Sequence, residues 1–255
     1  MSHYPAGEEP SMEMITQVVA EAIGALESEG VPHLLMGGAG AQTFARPRET
    51  DDIDVFVAPG DARRALDVLE KAGFWTEETF PSWLYKAIRN GVLVDVIFRS
   101  SGGVYLDDEM LARGQRREYR GTEALLMSPE DLLVVKAMAS TEETPHHWYD
   151  ALALIARRDL DWDYVLARSR VGPRRMLSLL LFAESVDLAV PPEAVSLLFE
   201  RTHPSGLVNG STASLPEPGP GLATDPSGDG PGGQGVEASD RTIVTDDPSS
   251  VAADS

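Results

Sequence analysis

The chain has 255 residues, 42% of them hydrophobic, with 41 acids against 21 bases, a formal charge of −20 and no cysteine. This composition excludes a wholly disordered chain, a disulfide framework and a thiolate metal site, and leaves enough apolar residues for one large domain or two small ones. Beyond Thr202 stand one basic residue and eight acids, a charge of −7, so the first 202 residues carry −13 and offer little of the positive surface that broad nucleic-acid affinity requires.

Residues 1–10 are polar and read as a disordered lead. Over residues 12–28, Met14, Ile15, Val18, Val19, Ala22, Ile23 and Leu26 recur at spacings of three and four, which predicts an amphipathic helix stopped by Gly30-Val31-Pro32. A strand over 33–36 then runs into Gly37-Gly38, a turn that opens a short helix near 39–44. The next strand starts at Asp52-Ile53-Asp54-Val55. Asp52 and Asp54 are two residues apart and therefore share a face of that strand, while Ile53 and Val55 point the other way. Two unpaired carboxylates side by side repel, and the remedy that suits them is a hard divalent cation such as Mg2+.

Residues 61–72 carry a second amphipathic helical pattern, closed by Gly73. Strands at 83–89 and 92–98 flank Asn90-Gly91, a strong two-residue hairpin signal that pairs them antiparallel. The second of these is apolar throughout except for Asp95. If it lies beside the strand of Asp52 and Asp54, three acids converge on a site able to hold metal ions for displacement at phosphorus. Gly37 and Gly38, without Cβ atoms, would let backbone N–H groups approach a nucleotide's phosphates.

The Gly37-Gly38 pair, thirteen residues (39–51), Asp52-Ile53-Asp54-Val55 and a later strand bearing Asp95 together resemble the signature of the DNA polymerase beta-type nucleotidyltransferase superfamily. Within it the chain is similar to the minimal nucleotidyltransferases, which include abortive-infection (AbiEii-like) toxins and small antibiotic nucleotidyltransferases. The resemblance covers roughly residues 12–200. It implies an α/β (α+β) nucleotidyltransferase fold with a mixed sheet flanked by helices, and metal-dependent transfer of an NMP from an NTP to an acceptor, with Mg2+ or Mn2+ as cofactor. Asp52, Asp54 and Asp95 would hold the metal, Asp95 would help deprotonate the acceptor, and Gly37 and Gly38 would bind the triphosphate. A competing dinucleotide-binding reading of Gly38-Ala39-Gly40 fails because Thr43 stands where a third small residue is needed.

Several further positions gain a reading beside that resemblance. Arg46 and Arg48 lie where a triphosphate or an acidic acceptor needs positive charge, or they neutralise the neighbouring acids; Arg48 is the one that matches an Arg of similar family members. Asp107-Asp108-Glu109 reads as the start of a helix. Arg113, Arg116, Arg117 and Arg120 form the chain's basic cluster, either a solvated face or a contact for an RNA or an acidic partner. Residues 124–127 read as a strand, and Ser128-Pro129 caps a helix over 129–140. Lys136, set among apolar residues of that helix, needs an acid or a phosphate. The resemblance gives it a nucleotide-facing role, and a salt bridge to Asp150 or a snorkelling surface Lys is the alternative. Asp150 closes His146-His147-Trp148-Tyr149-Asp150, where relatives carry an Asp after a basic residue and aromatics; the two histidines stand in place of a permanent charge, and a zinc pair is not expected of them.

Helical patterns at 146–156, 160–170, 174–187 and 191–201 complete the folded part. The expected organisation is a nucleotidyltransferase domain over 12–127, a helical subdomain over 128–202 and a disordered acidic tail over 203–255. No apolar run nears the roughly 20 residues that span a bilayer, and the N-terminal residues carry no apolar signal segment, so a cytoplasmic protein without membrane attachment is expected. The acceptor stays open between RNA, a protein side chain and a small molecule. The toxin branch would bring an antitoxin partner. The alternative to an enzyme is a non-catalytic nucleotide-binding regulatory module of the same fold.

Overall fold

A computed structural model describes residues 10–46, 50, 52–157 and 159–204, so Arg48 and the tail from 205 onward lie outside the described residues. The first helix, α1 (Met12–Ser28), has Ser11 as its N-cap, the hydroxyl accepting from the Met14 N–H, and buries Ile15, Val18, Val19, Ala22, Ile23 and Leu26. Then follow β1 (His33–Leu35), α2 (Gly37–Phe44), β2 (Asp52–Val57), α3 (Ala62–Lys71), β3 (Trp75–Phe80), β4 (Leu84–Arg89) and β5 (Val92–Ile97). After α4 (Asp108–Arg113), capped by Asp107, come β6 (Gln115–Tyr119) and β7 (Thr122–Leu126). The remainder is helical: α5 (Pro129–Ala139), α6 (His146–Ile155), α7 (Trp162–Arg168), α8 (Pro173–Ser185) and α9 (Pro192–Thr202).

The seven strands form one mixed sheet in the order β3-β4-β5-β2-β1-β7-β6. β2 and β5 are parallel neighbours at its centre, with Asp54 directly opposite Asp95. The Asn90-Gly91 turn takes positive φ at both residues, 51° and 78°, and sets β4 antiparallel to β5 from Arg89↔Val92 onward. Alternation along β5 divides the faces: Val92, Val94 and Val96 are buried, whereas Leu93, Asp95 and Ile97 are half-buried. α1 and α3 pack on the valine face of this half of the sheet, and α2 and α5 lie on the face that carries the acids.

Two strands depart from the sequence expectation. β3 and β6 are the outer strands, and neither carries the alternation or apolar content of a buried strand. An edge strand needs a partner on only one side, so its residues satisfy half a ladder and one face at most, and the hydrophobic signal fades. β6 is held to β7 through a turn at Arg120-Gly121, both at positive φ (49° and 73°). A single apolar cluster runs from Ile15 of α1 through the sheet to Leu198 of α9, and every residue of α5 from Pro129 to Met138 is buried.

Candidate functional site

β2 and β5 bring Asp52, Asp54 and Asp95 together: each offers a carboxylate oxygen within 4.8 Å of the others'. The parallel register does this, because Asp54 and Asp95 stand side by side and Asp52 shares their face two residues earlier. Burial, then the charges of Asp52 and Asp95, push the Asp54 carboxyl up to about 7, against a hydrogen bond from the Gly38 N–H and the charge of Lys136. Burial also raises the Asp95 carboxyl, with Lys86 acting in the opposite direction.

One oxygen of each acid is taken by a donor of the protein itself. Thr50 Oγ1 donates to Asp52 Oδ1, the Gly38 N–H to Asp54 Oδ2 at 3.3 Å, and Lys86 Nζ to Asp95 Oδ1 at 2.9 Å. The three carboxylates are thereby oriented before any ligand arrives. Hard oxygen donors at this spacing, mutually repelling when bare, fit a divalent ion of the Mg2+ or Mn2+ type.

The glycine pair sits at the start of α2, against the acids. Gly37 has φ 52°, and a Cβ there would overlap the Asp54 carboxylate; one on Gly38 would collide with Thr50. The pair is therefore demanded by the approach of Asp54 and Thr50, whatever ligand its amides also meet.

Lys136 and Asp150 are 1% and 0% exposed, with Nζ and Oδ2 3.0 Å apart. His147 Nδ1 lies 3.3 Å from the same ammonium, and Arg46 Nε lies 3.4 Å from Asp150 Oδ1 with its guanidinium over the Tyr149 ring. The ion pair offered as one reading of Lys136 is thus present, and the ammonium is close enough for its charge to be felt at Asp54. Arg46 belongs to this group.

The arginines of the basic cluster also make contacts within the fold. Arg113 pairs with Asp161 and lies over the Tyr164 ring, Arg116 pairs with Glu27 and Glu123, and Arg117 bonds Gln115. Arg120 reaches the carbonyl of Thr50 at 2.7 Å, the residue whose hydroxyl holds Asp52. Sequence reasoning missed Lys86, Thr50 and this use of Arg120. Lys86 was within reach, since a two-residue turn at 90–91 sets 89 opposite 92 and hence 86 opposite 95. Thr50 and Arg120 are 70 residues apart and no local pattern links them.

A family model described as "Uncharacterised nucleotidyltransferase" matches residues 11–183. No curated protein matches the chain. Among solved structures, the chain is similar to the antibiotic-resistance factor ANT(2'')-Ia at 15% identity and TM-score 0.39, over 76% of this chain and 93% of that one. It is similar to the lincosamide antibiotic adenylyltransferase LnuA at 17% identity and TM-score 0.41, over 58% and 98%. An antigenic nucleotidyltransferase-like protein from Paracoccidioides brasiliensis aligns at 18% identity and TM-score 0.43, over 73% and 98%.

Proposed function

The chain belongs to the uncharacterised nucleotidyltransferase family, and from that premise we propose that it transfers an NMP from an NTP to an acceptor hydroxyl with Mg2+ or Mn2+ held by Asp52, Asp54 and Asp95. The observation that carries this reading is the convergence of the three oriented carboxylates on one face of β2 and β5. When bound, the divalent ion supplies Lewis-acid polarisation of the α-phosphate and neutralises the developing charge on pyrophosphate. The acceptor oxygen forms a bond to the α-phosphorus as the bond from that phosphorus to the bridging oxygen of pyrophosphate breaks. Asp95 takes the hydroxyl proton, held in position by Lys86. Gly37 and Gly38 give Asp54 and Thr50 room at the site, and in this reading their backbone amides bind the triphosphate. Arg48, Lys136 and Asp150 belong to the nucleotide side of the site in this reading, Asp150 by fixing Lys136.

The test is a transfer assay with each α-labelled NTP in turn, Mg2+ or Mn2+, and a cell extract. Label is expected to follow one acceptor fraction and to vanish with Asp52→Ala; label retained in that variant would sink the mechanism. The fraction separates the acceptor classes. An abortive-infection toxin with an antitoxin partner would place label on RNA or protein, and its toxicity on expression would be relieved by Asp54→Ala. A small-molecule nucleotidyltransferase would place it on a low-mass product.

A further inference from the structure

A cleft of about 570 Å3 opens where the end of α5 meets α8 and α9, lined by Arg174, Arg175 and Arg201 with no acid among its lining residues. Met138 lies in it between Gly102 and Gly172, so close that a Cβ on either glycine would crowd its side chain. Arginines elsewhere in this fold are matched to acids: Arg113 to Asp161, Arg116 to Glu27, and Arg168 to Asp107 and Asp131. Among the described residues, the three in the cleft have no carboxylate within salt-bridge reach; what they bond is carbonyl oxygen. Arg175 Nη1 donates to Met138 at 2.8 Å and Ser140 at 2.7 Å, and Arg201 Nη1 to Leu166 at 2.7 Å. A carbonyl orients a guanidinium without neutralising it, and most of each donor fork stays unspent. Arg174 and Arg175 also stand in the first turn of α8, which holds no acid and no side-chain cap, at the end of a helix dipole that disfavours cations. Like charges thus share one cleft in a chain whose first 202 residues carry −13.

We infer that this cleft binds an oligophosphate, either free or as the phosphate chain of a nucleotide, at a site separate from the three aspartates, none of which lines it. A guanidinium fork matches two phosphoryl oxygens at once, and three such groups balance a charge of about −3, that of a di- or triphosphate near neutral pH. Past Arg174 and Thr202 the cleft runs into a groove of about 520 Å3 bordered by Leu177 and Leu181, apolar surface that suits the base of a nucleotide. Because arginines supply the positive charge here, binding needs no divalent ion. The triphosphate at Asp52, Asp54 and Asp95 does need one, so the two sites separate in EDTA.

The full chain is titrated calorimetrically in EDTA with inorganic phosphate, tripolyphosphate and ATP, and none of these readouts depends on NMP transfer. Tripolyphosphate is expected to bind saturably, and at least about ten-fold more tightly than inorganic phosphate. Arg174→Gln and Arg201→Gln should each weaken it by about five-fold or more, with the melting temperature near that of the wild type. Arg174 is exposed and makes no ion pair or side-chain hydrogen bond among the described residues, so its replacement tests the site without disturbing the fold. Arg117→Gln, in the other basic cluster, should leave binding unchanged. ATP bound more tightly than tripolyphosphate, and weakened by the same variants, supports the site and identifies a nucleotide; ATP bound no more tightly supports it and identifies the free oligophosphate. No saturable binding, tripolyphosphate no tighter than phosphate, or binding that survives Arg174→Gln combined with Arg201→Gln would overturn the site.

Discussion

Gly37 and Asp54 compete for one small volume, and the glycine is what lets the carboxylate reach the centre of the site. Gly37→Ala adds a Cβ where the Asp54 side chain lies, at a backbone φ of 52° that alanine resists. The expected loss is about 2–3 kcal/mol of stability in urea unfolding, together with weakened Mn2+ binding. Asp54 also makes stability depend on pH in a definite direction. Its carboxyl moves from 3.8 in the unfolded chain to about 7 in the metal-free fold, so between these values the folded state holds a proton that the unfolded state has lost. The stabilisation from that extra proton is present at low pH within the window and is lost as pH rises toward 7. In EDTA, the melting temperature at pH 7.5 is therefore expected to fall below that at pH 5.5 by several degrees. Added Mg2+ should raise it more at pH 7.5, because the ion needs the ionised carboxylate. A larger Mg2+ effect at pH 5.5 would refute this account.

At the scale of elements, α5 and α6 are joined by a pair of charges with almost no exposure. Removing either partner takes the nearest opposite charge from a buried group, which costs about 3–5 kcal/mol, whereas exchanging both for apolar groups is often neutral. Lys136→Met alone is thus expected to destabilise strongly, and Lys136→Met combined with Asp150→Leu to recover most of the loss in denaturant titrations. The double variant also separates packing from ligand binding: if Lys136 faces the triphosphate, it folds but loses nucleotide affinity. In the hairpin of β4 and β5, Lys86 orients Asp95 rather than building the core. Lys86→Met is expected to leave the melting temperature within a few degrees of wild type and to lower kcat for transfer more than it changes KM for the NTP. Arg120 gives the turn between β6 and β7 a comparable task, since it steadies Thr50 and through it Asp52.

For the whole molecule, the apolar cluster that begins in α1 ends in α9, so the described fold is closed before residue 205. We propose that the tail contributes no folding energy, and a chain cut after Pro204 should melt within about two degrees of the full chain. A cut before α9 removes the buried Ala194 and Leu198 and should unfold. Residues 128–202 form a helical subdomain in our proposal, one that depends on the sheet domain: α5 is buried along its length and contacts α2 as well as α6, α7 and α8. Expressed alone, that segment should show no cooperative transition by calorimetry, and a sharp one would mean an independently folding unit.

The family, the α/β fold and the shared face of Asp52 and Asp54 could be read from the sequence, because they rest on local pattern; that Asp95 joins them was an expectation conditional on β2 and β5 being neighbours. Alternation puts Asp52 and Asp54 on one face, Asn90-Gly91 dictates its own turn, helical spacing marks α1, and Ser128-Pro129 marks the start of α5 without reference to any neighbour. The outer strands β3 and β6 were hidden, since an edge strand exposed on its free side carries little hydrophobic signal. The donors that orient the acids belong to the tertiary structure. Thr50, whose hydroxyl bonds Asp52, is itself held at its carbonyl by Arg120, seventy residues away, and Arg46 meets Asp150 across 104 residues. Sequence decides which faces are apolar and which residue types can do chemistry. Strand order and register decide which of them meet, because those are settled by packing over the whole chain.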